Sequence, residues 1–270
     1  MPSLPEMKEL HSEMLELLKL IHQYCEENGI KYTLHAGTLL GAIREHGFIP
    51  WDDDIDITME RGQYKLFCDA LKRSPLPDGV VFDLYSSQHP MFFYKRDGKP
   101  LVFADLFIYD YISEGQFARK LKQAGYIFFL GVNKTKENMT ITRKGRYQGW
   151  KQYCIRFLYT LGRPFSKNVK LKALSWFSEH VFCGSRRYLS RGNDQYCALR
   201  IVLPADINEK IIKVPFEDTE LCVSARYHEI LLSDYGENYM TRPKQYQQMA
   251  HLDVRCLVDA ALLDFRSSER

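Results

Sequence analysis

Asp52, Asp53, Asp54 and Asp56 put four carboxylates into five consecutive positions, directly behind Trp51 and beside the strand-forming Ile55 and Ile57. At contact distance two carboxylates repel by about 1 kcal/mol in bulk water and by several times that in a partly buried site. A cluster of this kind among apolar residues calls for a neutralising cation. The run Asp54-Ile55-Asp56-Ile57 alternates polar and apolar residues. In an extended strand that period of two sends both carboxylates to one face and both isoleucines to the other. Two oxygen ligands then project side by side from a rigid element. Magnesium suits the arrangement, because it keeps several waters, takes one or two protein carboxylates and completes its octahedron with substrate phosphates. Manganese is the alternative ion. An EF-hand calcium loop would use Asp52, Asp54 and Asp56 at positions one, three and five, but it fails at position six, which is Ile57 instead of Gly, and at position twelve, which is Gln63 instead of Glu. Asp52 and Asp53 read equally well as a solvated turn after Pro50.

A second chemical feature lies just upstream. Residues 32–36, Tyr-Thr-Leu-His-Ala, read as a strand running into Gly37-Thr38, and residues 39–44 read as the helix that follows. Glycine at a strand-to-helix joint lets a ligand approach the backbone, and the free amides there favour a phosphate. Such a pair is weak evidence by itself. Joined to a strand carrying paired aspartates it describes a site for a metal-bound phosphate.

The run from Gly37 through Arg44 and on from Gly47-Phe48-Ile49-Pro50-Trp51 to Ile57 resembles the signature of the LicD family of phosphotransferases. The best-known members of that family move phosphocholine from CDP-choline onto cell-surface glycans, and its distant fukutin-type relatives use CDP-ribitol. The family is similar in core to the nucleotidyltransferase superfamily. The resemblance implies Gly37-Thr38 as the phosphate turn, Asp54 and Asp56 as the metal pair, and Asp105 as a third carboxylate. Asp105 lies in Leu101-Val102-Phe103-Ala104-Asp105-Leu106-Phe107-Ile108, a hydrophobic strand with one acid in its middle, and an acid so placed needs a partner. Near the C-terminus Tyr235-Gly236-Glu237-Asn238-Tyr239-Met240, then Pro243 and His251, resemble the closing element of the same family. Glu45 follows Arg44 where many relatives place a histidine.

The reaction implied is transfer of a phospho-alcohol group, phosphocholine foremost, from a CDP-linked donor to a hydroxyl of a cell-surface glycan or its lipid-linked precursor. In that setting Arg44 is a bidentate phosphate clamp or a salt-bridged helix residue. Trp51 packs on the donor base or cationic headgroup, or anchors the loop. The resemblance makes His251 a contact for phosphate or acceptor, with a core or helix-cap role as the alternative. A nucleotide-sugar glycosyltransferase also uses an Asp-x-Asp metal site and is the rival enzyme. A non-catalytic relative that binds glycan or membrane is the rival outside enzymology.

The elements expected to carry these residues form an α/β, or α+β, fold: a nucleotidyltransferase-like mixed sheet flanked by helices, with a basic helical insertion. Leu10, Met14, Leu17, Leu18, Ile21 and Cys25 recur at helical spacing and predict a helix over 5–28, stopped by Gly29. A further helix follows Arg61 with Tyr64, Phe67, Cys68 and Leu71 inward, and strands are predicted over 80–85, 91–95 and 101–108. The expected organisation is a catalytic core over 1–115, the insertion over 116–200, and a segment over 201–270 that completes the catalytic domain.

Composition bounds the setting. A chain of 270 residues with 45% hydrophobic content can bury a full core. No stretch has the apolar length of a membrane span, and the acid-rich first helix is unlike a signal peptide, so the sequence predicts a cytoplasmic protein. Seven scattered cysteines without a Cys-x-x-Cys pair indicate neither a disulfide framework nor a zinc site, and read as small buried hydrophobes. Charge is segregated: residues 116–191 hold 17 Lys and Arg against Glu137 and Glu179, a balance of +15 that leaves −12 for the rest of a chain whose net charge is +3. On a helix in this segment Cys154, Phe157, Leu158 and Leu161 share a predicted core face, opposite Gln152, Arg156 and Thr160. The basic segment reads as a helical subdomain with a solvated face, as a peripheral surface for the anionic inner membrane leaflet, or as a site for a polyanionic acceptor. No motif points to nucleic acid.

Overall fold

A computed structural model describes residues 4–84, 89–96, 99–135, 150–194 and 198–242. The described residues up to Tyr109 and from Asp206 onward form one compact unit, and Asp110–Ala205 form a second.

The first unit opens with helix α1 (Leu4–Glu27), which buries Met14, Leu17, Leu18, Ile21 and Cys25 at the predicted spacing. Gly29, at φ +65°, turns the chain out of it. Strand β1 (Thr33–Leu34) is short because the chain swings into helix α2 (Ala36–Arg44) at once. His35 N–H donates to Asp56 O (2.9 Å), Ala36 takes φ +42°, and Leu39 N–H closes on His35 O (2.9 Å). Gly37 and Thr38 therefore lie in the first turn of α2 rather than in a turn before it. The expected strand over 32–36 is correspondingly cut to two residues.

Strand β2 (Ile55–Glu60) leads into helix α3 (Arg61–Leu71), then strands β3 (Val80–Asp83), β4 (Met91–Arg96) and β5 (Lys99–Ile112). Sheet order is β1-β2-β5-β4-β3. All neighbours are antiparallel except β2 and β5, which run parallel with Asp56 opposite Asp105. The excursion from β2 through α3 and the β3–β4 hairpin supplies the crossover that a parallel pair requires. A mixed α/β sheet with flanking helices is the fold class the sequence predicts. Ile55 and Ile57 are fully buried.

In the second unit helix α4 (Gln116–Val132) packs against helices α5 (Trp150–Gly162) and α6 (Lys167–His180). Tyr126, Leu174 and Leu199 make its core, edged by Phe129, Leu130 and Phe177. Lys122 is fully buried and donates from Nζ to Tyr111 O (2.5 Å) and Ser178 O (2.7 Å). The inward face of α5 differs from the predicted one. Leu158 and Gly162 meet α4, while Cys154, Phe157 and Leu161 are exposed. Glycines decide this: a Cβ on Gly131 would stand 2.5 Å from Leu158 Cδ1, and one on Gly162 would strike Val132 O. The helices close on their smallest residues, which an apolar-residue count does not register. The unit ends with strand β6 (Tyr188–Arg191), a 3-10 turn (Ala198–Arg200) and strand β7 (Leu203–Pro204), the two strands antiparallel.

The chain then rejoins the first unit. Strands β8 (Ile211–Phe216) and β9 (Thr219–Ser224) form a hairpin with β9 beside β1, and helix α7 (Tyr227–Tyr235) packs on α2.

Candidate active site

Three elements clamp the loop between α2 and β2. From α1, His11 Nε2–H donates to Asp52 O (2.8 Å) and its ring stacks on Phe48 at 5.0 Å. At the β8–β9 turn, Glu217 accepts from Phe48 N–H (3.1 Å), and its own N–H donates to His46 O (2.8 Å). Within the loop Asp52 N–H donates to Ile49 O (2.9 Å). Gly41 of α2 lies so close to Gly47 O that a side chain there would collide with it.

The clamped loop delivers acids inward. Asp52, Asp53 and Asp56 are 7%, 5% and 8% exposed, and Asp54 is half-buried. A solvated turn at Asp52 and Asp53 is thereby overturned. One carboxylate oxygen from each of Asp52, Asp53 and Asp54 lies within 4.8 Å of the other two. Two residues on, Asp56 sits directly beside Asp105 across the parallel pair β2–β5.

Burial pushes the Asp52 carboxyl up to about 8, the carboxylates of Asp54 and Asp53 push in the same direction, and the Arg44 guanidinium opposes them. Asp52 Oδ2 is buried with no hydrogen-bond partner among the described residues. It faces the first turn of α2, where a Cβ on Gly37 would stand 2.7 Å from it. An all-oxygen donor set, crowded enough to resist ionisation and holding an orphaned buried oxygen, fits a hard divalent cation.

All of the predicted site residues except His251 fall among the described residues. Gly37 leaves the space that the Asp52 carboxylate fills. Thr38 is fully buried, and its Oγ1 accepts from Asp56 N–H (2.9 Å), so it fixes the helix start to β2. Arg44 is salt-bridged: its Nε donates to Glu45 Oε1 (2.8 Å) and its Nη1 to Tyr239 O (3.0 Å). Glu45 also accepts from Arg242 Nε (3.0 Å). Burial raises the Glu45 carboxyl, but the hydrogen bonds from Arg242 and Arg44 outweigh it and hold the group below its ordinary value. Trp51 is half-buried in the loop immediately before the acids. Asp54 precedes β2 instead of lying within it, while Asp56 and Asp105 stand in the paired strands. His251 lies outside the described residues.

Sequence reasoning left Asp52 and Asp53 open between the cation cluster and a solvated turn, and gave Tyr235 only as the start of the closing motif. Burial of the Tyr235 hydroxyl, followed by the charges of Asp56, Asp234, Asp52 and Asp54, pushes that group well above an ordinary tyrosine, although 45% of the residue remains exposed. The end of α7 thus stands beside the acid cluster. Only the motif beginning at Tyr235 signalled this; local patterning does not connect positions so far apart.

A mixed sheet that sets carboxylates on neighbouring parallel strands, with an acid cluster beside the first turn of a helix, is consistent with a nucleotidyltransferase-like fold and could hold a metal ion. Over residues 29–117 the chain matches the profile of the LicD/FKTN/FKRP nucleotidyltransferase domain. It is a distant homologue of the lipopolysaccharide cholinephosphotransferase LicD of Haemophilus influenzae, 27% identical over 260 residues that span 91% of this chain and 95% of the relative. A 44-residue segment is 50% identical to uncharacterized proteins of Rickettsia prowazekii and Rickettsia typhi, covering 16% of this chain and 16% and 14% of theirs.

Proposed function

We propose that the chain is a metal-dependent phosphotransferase that moves a phospho-alcohol group, phosphocholine foremost, from a CDP-linked donor to a hydroxyl of a cell-surface glycan or its lipid-linked precursor. The observation that carries this reading is the buried carboxylate cluster continuing into the Asp56–Asp105 pair, next to the first turn of α2. The name of the Haemophilus relative supports both the headgroup and the acceptor class.

In this reading Asp54, Asp56 and Asp105 hold Mg²⁺ or Mn²⁺, and Asp52 and Asp53 add oxygens from the same cluster. A dication bound there supplies charge neutralisation for the diphosphate and for the phosphate that leaves. The attacking hydroxyl oxygen forms the new P–O bond, the bond to CMP breaks, and CMP departs with its own phosphate. Asp105 accepts the proton of the hydroxyl when it is not needed by the metal. The amides of the first turn of α2 are proposed contacts for the diphosphate, and Gly37 leaves room there for the Asp52 carboxylate. Arg44, tied to Glu45 and to the carbonyl of Tyr239, acts by holding the segment after α7 against α2 rather than as a phosphate clamp. Trp51 and His251 are proposed donor or acceptor contacts. The reaction is placed on the cytoplasmic side, where nucleotide-linked donors are made. Among the described residues no helix is long and apolar enough to cross a membrane.

Calorimetric titration with CDP-choline, CDP-ribitol, CDP-glycerol and UDP-sugars, each with and without Mg²⁺, tests the proposal. Metal-dependent binding of a CDP-alcohol, with turnover lost in Asp54→Asn of unchanged fold, is the expected result. Tightest binding of a UDP-sugar would assign a glycosyltransferase instead.

A further inference from the structure

Helix α5 presents its second apolar face to solvent. Trp150 is 71% exposed, Tyr153 71%, Phe157 68% and Leu161 44%. Spaced by three, four and four residues, they fall within an arc of roughly 100° on the helix surface. Arg156 and Arg163 of the same segment are also exposed. A continuous aromatic stripe of this kind on a protein surface marks something that covers it.

We propose that this face of α5 is an interfacial docking surface for an anionic lipid bilayer. Charge selects the partner. Residues 116–191 carry a balance of +15, and Lys122 and Arg191 are the fully buried basic groups among the described residues of that span. A second copy of the chain would bring together two surfaces that each carry the exposed Arg156 and Arg163, which is unfavourable. Residues 243–270 hold four basic and four acidic side chains and offer no complementary charge. An anionic bilayer satisfies both parts of the surface. Tryptophan and tyrosine sit at the depth of the headgroups with their apolar rings toward the acyl chains, while arginines meet lipid phosphates. Nearby α6 offers the same combination, with Trp176 61% and Val169 53% exposed beside exposed Lys172. The surface lies wholly in the second unit and makes no use of the aspartate site.

The test is co-sedimentation of the full chain with two kinds of vesicle, one of phosphatidylcholine alone and one carrying about 30 mol% phosphatidylglycerol. The anionic vesicles should bind at least about ten-fold more tightly, lose affinity as salt is raised, and shift tryptophan emission to the blue. The double variant W150S/F157S should lose about ten-fold or more in binding to anionic vesicles. R156Q/R163Q should lose about five-fold per charge. Because all four side chains are exposed, circular dichroism should be unchanged. Asp54→Asn should bind vesicles like the unaltered chain, so failure of this proposal and failure of the phosphotransferase reading are separable. Equal binding of both vesicle types, or unaltered binding by W150S/F157S, would overturn the proposal. So would a dimer that dissociates in W150S/F157S, or vesicle binding that appears only after residues 243–270 are removed, since each assigns the face to another occupant.

Discussion

At Asp52, burial and the charges of Asp54 and Asp53 act in one direction and drive the carboxyl toward its neutral form, up to about 8. An amide in its place keeps the shape and removes the repulsion. Asp52→Asn should therefore raise the melting temperature of the metal-free protein, by a free energy on the order of a few kcal/mol, and should abolish most of the stabilisation that Mg²⁺ gives. Scanning calorimetry with EDTA and with Mg²⁺ reads both effects; a lower melting temperature without metal would contradict the account. The cluster was legible in the sequence as a density of acids, but the division of labour within it was not. Alternation assigns faces only inside a strand, and the strand begins at Ile55, one residue too late to govern Asp54. What turns Asp52 and Asp53 inward is the clamp from His11 and Glu217, two long-range contacts that no local pattern contains.

Among the elements, the joint between α2 and the loop carries the geometry. Gly37→Ala would push a methyl group against the Asp52 carboxylate, since the added Cβ would lie 2.7 Å from its Oδ2. The expected outcome is a loss of about ten-fold or more in Mg²⁺ affinity by calorimetric titration, from displacement of a ligand oxygen by a few tenths of an ångström. The far end of α2 is held differently. Glu45→Gln would leave the nearly buried Arg44, whose side chain is 7% exposed, without its counter-charge. Urea denaturation should show about 3 kcal/mol lost, the range measured when one partner of a buried ion pair is removed. Helix α1 was legible because its core residues are large and periodic. The face of α5 was misread because the contact with α4 is made by Gly131 and Gly162, which carry no hydrophobic signal. Cys154 is exposed for the same reason, while Cys25 behaves as the buried hydrophobe expected, its thiol pushed up to about 12 by burial.

For the molecule as a whole, folding, protons and metal are linked through the acid cluster. The Asp52 carboxyl titrates near 8 in the folded chain against about 4 when unfolded, so the metal-free fold binds a proton that the unfolded chain releases. Its contribution to stability is fully present below about pH 4 and is lost as pH rises through about 8. A cation must displace that proton, so its apparent affinity should climb up to about ten-fold per pH unit below 8. Thermal shifts produced by Mg²⁺ should consequently be larger at pH 8 than at pH 6, and a flat or falling trend would contradict the assignment. The mixed α/β class was readable from the motif around Asp54 and from the hydrophobic strand around Asp105. The tie between the acids and Tyr235 was readable only in outline, because it depends on the chain returning to the first unit after Asp206.

The central claim is that these aspartates hold a divalent cation that bears a nucleotide diphosphate. Anomalous diffraction from crystals grown with Mn²⁺ and a CDP-linked donor addresses it most directly. The account predicts a manganese peak about 2.2 Å from carboxylate oxygens of the Asp52–Asp54 cluster, with Asp56 and Asp105 facing it and the diphosphate oxygens on the open side. A peak elsewhere, or a bound donor whose phosphates lie away from these acids, would contradict it.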